Sequence, residues 1–133
     1  MYNRMEKYLE DNKIIYSLQF GFRKKYLTEH ALLSITEQIK TNFHQYSCGV
    51  FVDLEKAFDT VNHKILLSKV EHYGIKGVSF KWLNSYLSNR SQQVSLNGTI
   101  SETKPVTCGV PQGPLLFLVY INDMNKVIQN SSV

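Results

Sequence analysis

Val50-Phe51-Val52-Asp53-Leu54-Glu55-Lys56-Ala57-Phe58-Asp59 is the stretch on which the reading of this chain turns. An apolar run from Gly49 to Val52 stops at a carboxylate, Asp53, and a second carboxylate, Asp59, comes directly after Phe58. A run that short, bounded by glycine and a charge and rich in valine and phenylalanine, predicts a buried strand. An aspartate at the end of such a strand sits on a rigid support, where its oxygens suit a hard cation such as Mg²⁺. The same residues also fit an ordinary strand exit, with Asp53 solvated and Asp59 capping the next segment.

The surroundings bound the possibilities. The chain has 133 residues, 43% of them hydrophobic and 20% charged, which is enough for one core and too apolar for wholesale disorder. Fifteen Lys and Arg against eleven Asp and Glu give a net charge of +4, which is compatible with a polyanionic partner without demanding one. The tight basic cluster is Arg23-Lys24-Lys25, with Tyr26 next to it. Beside an aromatic, it suits a phosphate backbone and a base; as a solvated loop it needs no partner. Cys48 and Cys108 lack metal-ligand spacing, and without a signal peptide both are expected as buried thiols of an intracellular protein. The longest apolar run, Leu115 to Ile121, is too short to cross a bilayer, so no membrane partner is expected.

Outward from the central stretch, the periodicities define the remaining elements. Met5 and Leu9 predict a short amphipathic helix over Tyr2–Leu9, and Ile14–Phe22 reads as an irregular loop. Thr28 is the expected N-cap of a helix whose Leu32, Ile35, Ile39 and Phe43 mark one buried face. Asn62 caps a helix with Ile65, Leu66, Val70 and Tyr73 inward and Gly74 as its C′ residue. A further helix runs from Ser79 to Leu87, in which Trp82 is read as core rather than as a base-stacking platform. Asn97-Gly98 between alternating residues predicts a type I′ hairpin, and Pro114 opens a final apolar helix to about Val127. The class is α+β: helices on a small antiparallel sheet, with a β-hairpin near 93–104 and no internal domain boundary.

Three blocks of the chain resemble the reverse transcriptases of non-LTR (LINE-type, jockey-like) retrotransposons. The first is Gln19-Phe20-Gly21-Phe22-Arg23 with Thr28-Glu29-His30-Ala31-Leu32-Leu33. The second runs from Phe51 through Asp53, Phe58 and Asp59 to His63. The third is Gly109-Val110-Pro111-Gln112-Gly113, continued by Pro114-Leu115-Leu116-Phe117 and Tyr120-Ile121-Asn122-Asp123. The resemblance covers Tyr2 to Asp123 and implies a single partial palm-and-fingers domain over residues 1–133. It further implies Asp53 as catalytic Mg²⁺ ligand and Phe58 beneath the incoming sugar, with Gln112 and Gly113 lining the nucleotide and template pocket. Arg23, Lys24 and Lys25 become candidate nucleic-acid contacts, and the implied partners are an RNA template, a DNA primer and deoxynucleotides.

Departures from the family pattern matter equally. Members carry a segment resembling Ser-x-Leu-Gly where Gly113 here meets Pro114. Losing four residues there shortens the lead into the helix by roughly 6 Å and rotates its later face by about 40°, displacing the pocket loop. The family's Tyr-x-Asp-Asp hairpin, which supplies the other metal aspartates, is expected after Val133, its upstream finger blocks before Tyr2, and no Asp-Asp pair occurs in the sequence. One carboxylate cannot hold the two Mg²⁺ ions of a polymerase. The expectation is therefore a polymerase fragment inactive by itself, the alternative being a non-catalytic nucleic-acid-binding remnant.

Overall fold

The computed structural model of the chain describes residues 1–111 and 114–126. They fall into two compact units, Met1–Glu55 with Asn122–Val133, and Lys56–Ile121. The α+β class holds: among the described residues there are five α-helices and two small antiparallel two-stranded sheets.

In the first unit, α1 (Tyr2–Asp11) forms as its amphipathic spacing predicts, burying Met5 and Leu9 one turn apart. Asn12 closes it, donating from Nδ2 to the carbonyl of Tyr8 at 2.8 Å. The loop after this helix is fixed from a distant part of the chain. Asn122 Oδ1 accepts the Tyr16 N–H and its Nδ2 donates to the Ile14 carbonyl, both at 2.8 Å, so one side chain stands in for a paired strand.

The second helix, α2 (Thr28–Thr41), departs from expectation at its start and along its face. Leu27, with extended φ −120° and ψ 158°, occupies the N-cap, and Thr28 is the first helical residue. Leucine offers no side-chain acceptor, and the cap bond comes from His30, whose Nδ1 accepts the Leu27 N–H at 3.0 Å. No residue of α2 is buried, and Leu32, Ile35, Ile39 and Phe43 are all exposed. The periodicity is that of a face built for burial, and none of the described residues covers it.

The central stretch also differs. Residues 46–54 form no helix, turn or strand and belong to no ladder, and Val50, Phe51 and Val52 are 83%, 90% and 70% exposed. A strand is defined by its partner, and apolar content creates the demand for one without supplying it. Cys48 and Cys108 are both exposed rather than buried.

The second unit holds most of the core. α3 (His63–His72) starts on Asn62, whose Oδ1 accepts the N–H groups of Lys64 and Ile65 at 3.0 and 3.2 Å. It ends in a Schellman motif. Gly74, at φ 86°, donates to Glu71, and Ile75 N–H reaches back to the Val70 carbonyl at 3.1 Å. Leu66 and Val70 are buried as expected, whereas Ile65 is exposed. α3 packs on α4 (Gly77–Leu87) and α5 (Pro114–Ile121). These contribute Leu83 and Leu87 from one side and Leu115, Phe117, Leu118 and Val119 from the other, all buried. Lys69 donates to the carbonyl of Tyr120 in the last turn of α5, where a cation complements the helix dipole. That helix stops at Ile121 rather than near Val127; a turn at Asn122-Asp123 precedes a short helical stretch at 124–126. Asn122 has its side chain on the Ile14–Tyr16 backbone, a pull that competes with helix propagation.

The hairpin forms at its expected turn. β2 (Ser95–Leu96) pairs with β3 (Thr99–Ile100) across Asn97 and Gly98, both at positive φ (49° and 81°), as a type I′ turn requires. β1 (Arg90–Gln92) and β4 (Lys104–Val106) pair outside it, with Arg90 opposite Val106. Replacing Asn62 by alanine leaves the Lys64 and Ile65 amides without their cap, and is expected to cost about 1 kcal/mol in urea unfolding. A midpoint unchanged from wild type would show that solvent caps α3 equally well.

Candidate functional site

Two of the sequence blocks meet inside the second unit. The backbone after Phe58 turns sharply: Asp59 N–H and Thr60 N–H both donate to the Lys56 carbonyl, at 2.9 and 3.1 Å. The segment at Gly109 lies against that turn. Gly109 N–H donates to Val61 O at 2.8 Å and Val110 N–H to Phe58 O at 2.9 Å, while Asn62 and Cys108 form an antiparallel bridge. His63 Nε2 lies 2.6 Å from the Gly109 carbonyl, which it reaches as a donor in the Nε2–H tautomer. The contact is close enough to require glycine. A Cβ at Gly109 would stand 3.0 Å from the Asp59 carbonyl oxygen and 3.1 Å from its Cα.

The amides of Gly109 and Val110 are thus engaged within the corner, which makes it a clamp between the blocks rather than an anion cradle. Beside it opens a groove of about 490 Å³, lined by Asp59, by Arg90 and Gln92 of β1, and by the residues from Pro105 to Pro111. One cation and one carboxylate face this groove.

The residues singled out in the sequence are divided between the units. Asp53 belongs to the first unit, exposed in the irregular stretch 46–54, and Phe58 to the second. Phe58 is half-buried, its ring 4.6 Å from that of Phe117 and tilted by 36°. Gln112 and Gly113 lie outside the described residues. Arg23 and Lys24 are held within the first unit. The Arg23 guanidinium grips Glu10 at both carboxylate oxygens (2.8 and 2.6 Å) and donates to the carbonyls of Tyr16 and Gln19. It also lies 4.0 Å from the centre of the Tyr26 ring. The Glu10 hydrogen bond holds its pKa above the ordinary arginine value, against the opposing effect of burial. Lys24 pairs with Glu6 at 2.6 Å, a bond that likewise raises its pKa, and Lys25 is exposed at φ 67°.

As to metal, the Asp53 carboxylate is a hard oxygen donor of the type Mg²⁺ prefers. No group of three His, Cys, Asp or Glu side chains gathers among the described residues, so the set fits one ligand of a site and not a whole one. Sequence reasoning did not single out His63 or Gly109. The glycine has a recognisable place before an apolar residue and two prolines, but nothing local to it names the partner it touches.

The second unit is thus a mixed α+β body in which the Phe58–His63 segment is clamped to the Gly109-Val110-Pro111 segment. In the comparison with known families, residues 1–132 match the family described as reverse transcriptase (RNA-dependent DNA polymerase). The chain belongs to the reverse transcriptase family. It is 33% identical over 134 residues to the probable RNA-directed DNA polymerase from transposon BS of Drosophila melanogaster, covering 92% of this chain and 14% of that protein. Identity is 33% over 129 residues to the RNA-directed DNA polymerase from mobile element jockey of the same species, with the same coverages. It is 35% over 127 residues to the probable polymerase from transposon X-element, covering 91% of this chain and 14% of the relative. The chain therefore spans about one seventh of the length of these curated relatives, and the non-LTR, jockey-like resemblance is established. Among the described residues no helix is long and apolar enough to cross a membrane.

Proposed function

We propose that the chain is a fingers-and-palm portion of an RNA-directed DNA polymerase of retrotransposon origin, working inside the cell on an RNA template, a DNA primer and deoxynucleotides. The observation that carries this is the clamp at Gly109, which ties the Phe58–His63 end of the second block to the Gly109–Pro111 segment through backbone bonds of 2.8 and 2.9 Å. Blocks distant in sequence are held at a fixed register, as a polymerase needs in order to position reacting groups. In this reading Asp53 is a ligand of Mg²⁺, which when bound supplies charge neutralisation at the transferred phosphate. Phe58, braced by Phe117, presents an apolar edge to the sugar, and Gln112 with Gly113 borders the nucleotide. Arg23 and Lys24 are engaged by Glu10 and Glu6, which leaves Lys25 as the basic contact of that triplet outside those pairs.

The 133 residues by themselves do not polymerise, since they bring one metal-binding block and no Asp-Asp pair. The check is primer extension on an RNA template with Mg²⁺, comparing the chain with Asp53→Ala. No extension product above background is expected from either. Synthesis that disappears in Asp53→Ala would overturn the claim of inactivity while strengthening the assignment of Asp53.

A further inference from the structure

Trp82, which its apolar neighbours in sequence assign to the core, is instead 50% exposed. It lies on the outer side of α4, away from buried Leu83 and Leu87. One turn on, Tyr86 stacks against it with ring centroids 5.3 Å apart and planes only 4° from parallel. One turn further, the Arg90 guanidinium carbon lies 5.0 Å from the centre of the Tyr86 ring. Tryptophan, tyrosine and arginine thus succeed one another as a surface ladder, and its last rung, Arg90, lines the groove of about 490 Å³ beside the Gly109 clamp.

The segment that carries this ladder is itself free of acidic residues, and the carboxylate near its end is Asp59, which lines the groove together with Arg90. From His72 to Ser101 the sequence has no Asp or Glu, while Lys76, Lys81 and Arg90 are all present and exposed. Apart from the ladder, Val78 is the only large apolar residue that α4 exposes. Lys81 and Ser85, each one position before a ring in sequence, are exposed. A face for a second copy of the chain calls for contiguous apolar area. Isolated parallel rings with cations on the same segment are what a stacked base and its phosphates require.

We propose that the outer face of α4 and the start of β1 form a binding track for single-stranded nucleic acid. A base stacks on the exposed indole of Trp82, and Lys81 and Arg90 hold flanking phosphates on the way to the groove. The choice of a polynucleotide rests on the polymerase reading above; the location does not.

Trp82 is the single tryptophan of the chain, so its emission reports on this site alone. Titrating the full chain with a twelve-nucleotide oligouridylate is expected to quench that emission saturably, with binding followed in parallel by anisotropy of a labelled copy. Trp82→Ala should weaken binding about tenfold, and Trp82→Phe, which keeps a π face, by no more than about threefold. Lys81→Ala and Arg90→Ala should each lower the salt dependence by about one phosphate contact. Binding without quenching, together with wild-type affinity in Trp82→Ala, would overturn the track and leave the polymerase reading standing. Absence of any binding at low salt would overturn both. A change of emission with protein concentration alone, accompanied by dimers in sedimentation, would assign the face to self-association and also overturn the track.

Discussion

Alanine at Gly109 should lower the stability of the second unit by about 3 kcal/mol, whereas alanine at Gly98 should cost only about 1 kcal/mol. Both glycines have positive φ, 87° and 81°, so both substitutions carry the strain of a side chain in the left-handed region. Their surroundings differ. Nothing lies within 4 Å of a Cβ at Gly98, while at Gly109 the neighbours are the carbonyl oxygen, Cα and carbonyl carbon of Asp59 at 3.0, 3.1 and 3.3 Å. Backbone atoms cannot rotate aside as the end of a flexible side chain does. The chain must therefore retreat, weakening the Gly109–Val61 and Val110–Phe58 bonds and lengthening the reach of His63. Two hydrogen bonds at roughly 0.5–1.5 kcal/mol each, added to the strain, give the larger figure. In urea it corresponds to a midpoint lower by about 1.5 M. Trp82 lies in the same unit, so its fluorescence tracks the transition. Equal midpoints for the two variants would mean that the clamp is not built on close backbone approach.

The contrast between these glycines also marks what a sequence can and cannot state. The hairpin at Asn97-Gly98, the Asn62 cap and the Gly74 terminus were legible because each is a local device, complete within a few residues. Membership of the reverse transcriptase family was legible for the same reason, as short ordered blocks. The strand at Gly49–Val52 and the inward face of α2 were read from patterns of equal quality, yet both are exposed. A hydrophobic pattern records what a segment needs, and whether the need is met depends on atoms elsewhere. Trp82 failed differently. The apolar spacing of α4 is satisfied by Leu83 and Leu87, and a helix has room for only one inward stripe, so the indole one position away points elsewhere. Asp53 and Phe58 were singled out by motif alone, as candidates. The corner that disciplines their block required knowing that Gly109 touches Asp59, a contact fifty residues distant in sequence.

The basic triplet supplies the second large effect. Arg23→Ala is expected to destabilise the first unit by about 2–3 kcal/mol, and Arg23→Lys by more than half as much. The Arg23 side chain is 7% exposed and its partner Glu10 39%, so the pair lies between the surface and interior cases, and the roughly 3–5 kcal/mol of a broken buried pair is discounted accordingly. Four polar contacts disappear with the guanidinium: two to Glu10 and one each to the carbonyls of Tyr16 and Gln19, at 3.2 Å. Lysine restores the charge but neither the fork on Glu10 nor the reach to both carbonyls, which is why it is a poor substitute here. The cation–π contact with Tyr26 is lost in the alanine variant too. Because the single tryptophan lies in the other unit, the measurement is amide hydrogen exchange across α1 and the Tyr16–Tyr26 loop. Faster exchange confined to those segments, with urea unfolding monitored by Trp82 unchanged, is the expected result. Lys25→Ala, which removes one positive charge and no contact of the Glu10 network, should leave exchange as in wild type. If instead Arg23→Ala exchanges normally and loses only affinity for RNA, the guanidinium serves the nucleic acid and its grip on Glu10 contributes little to the fold.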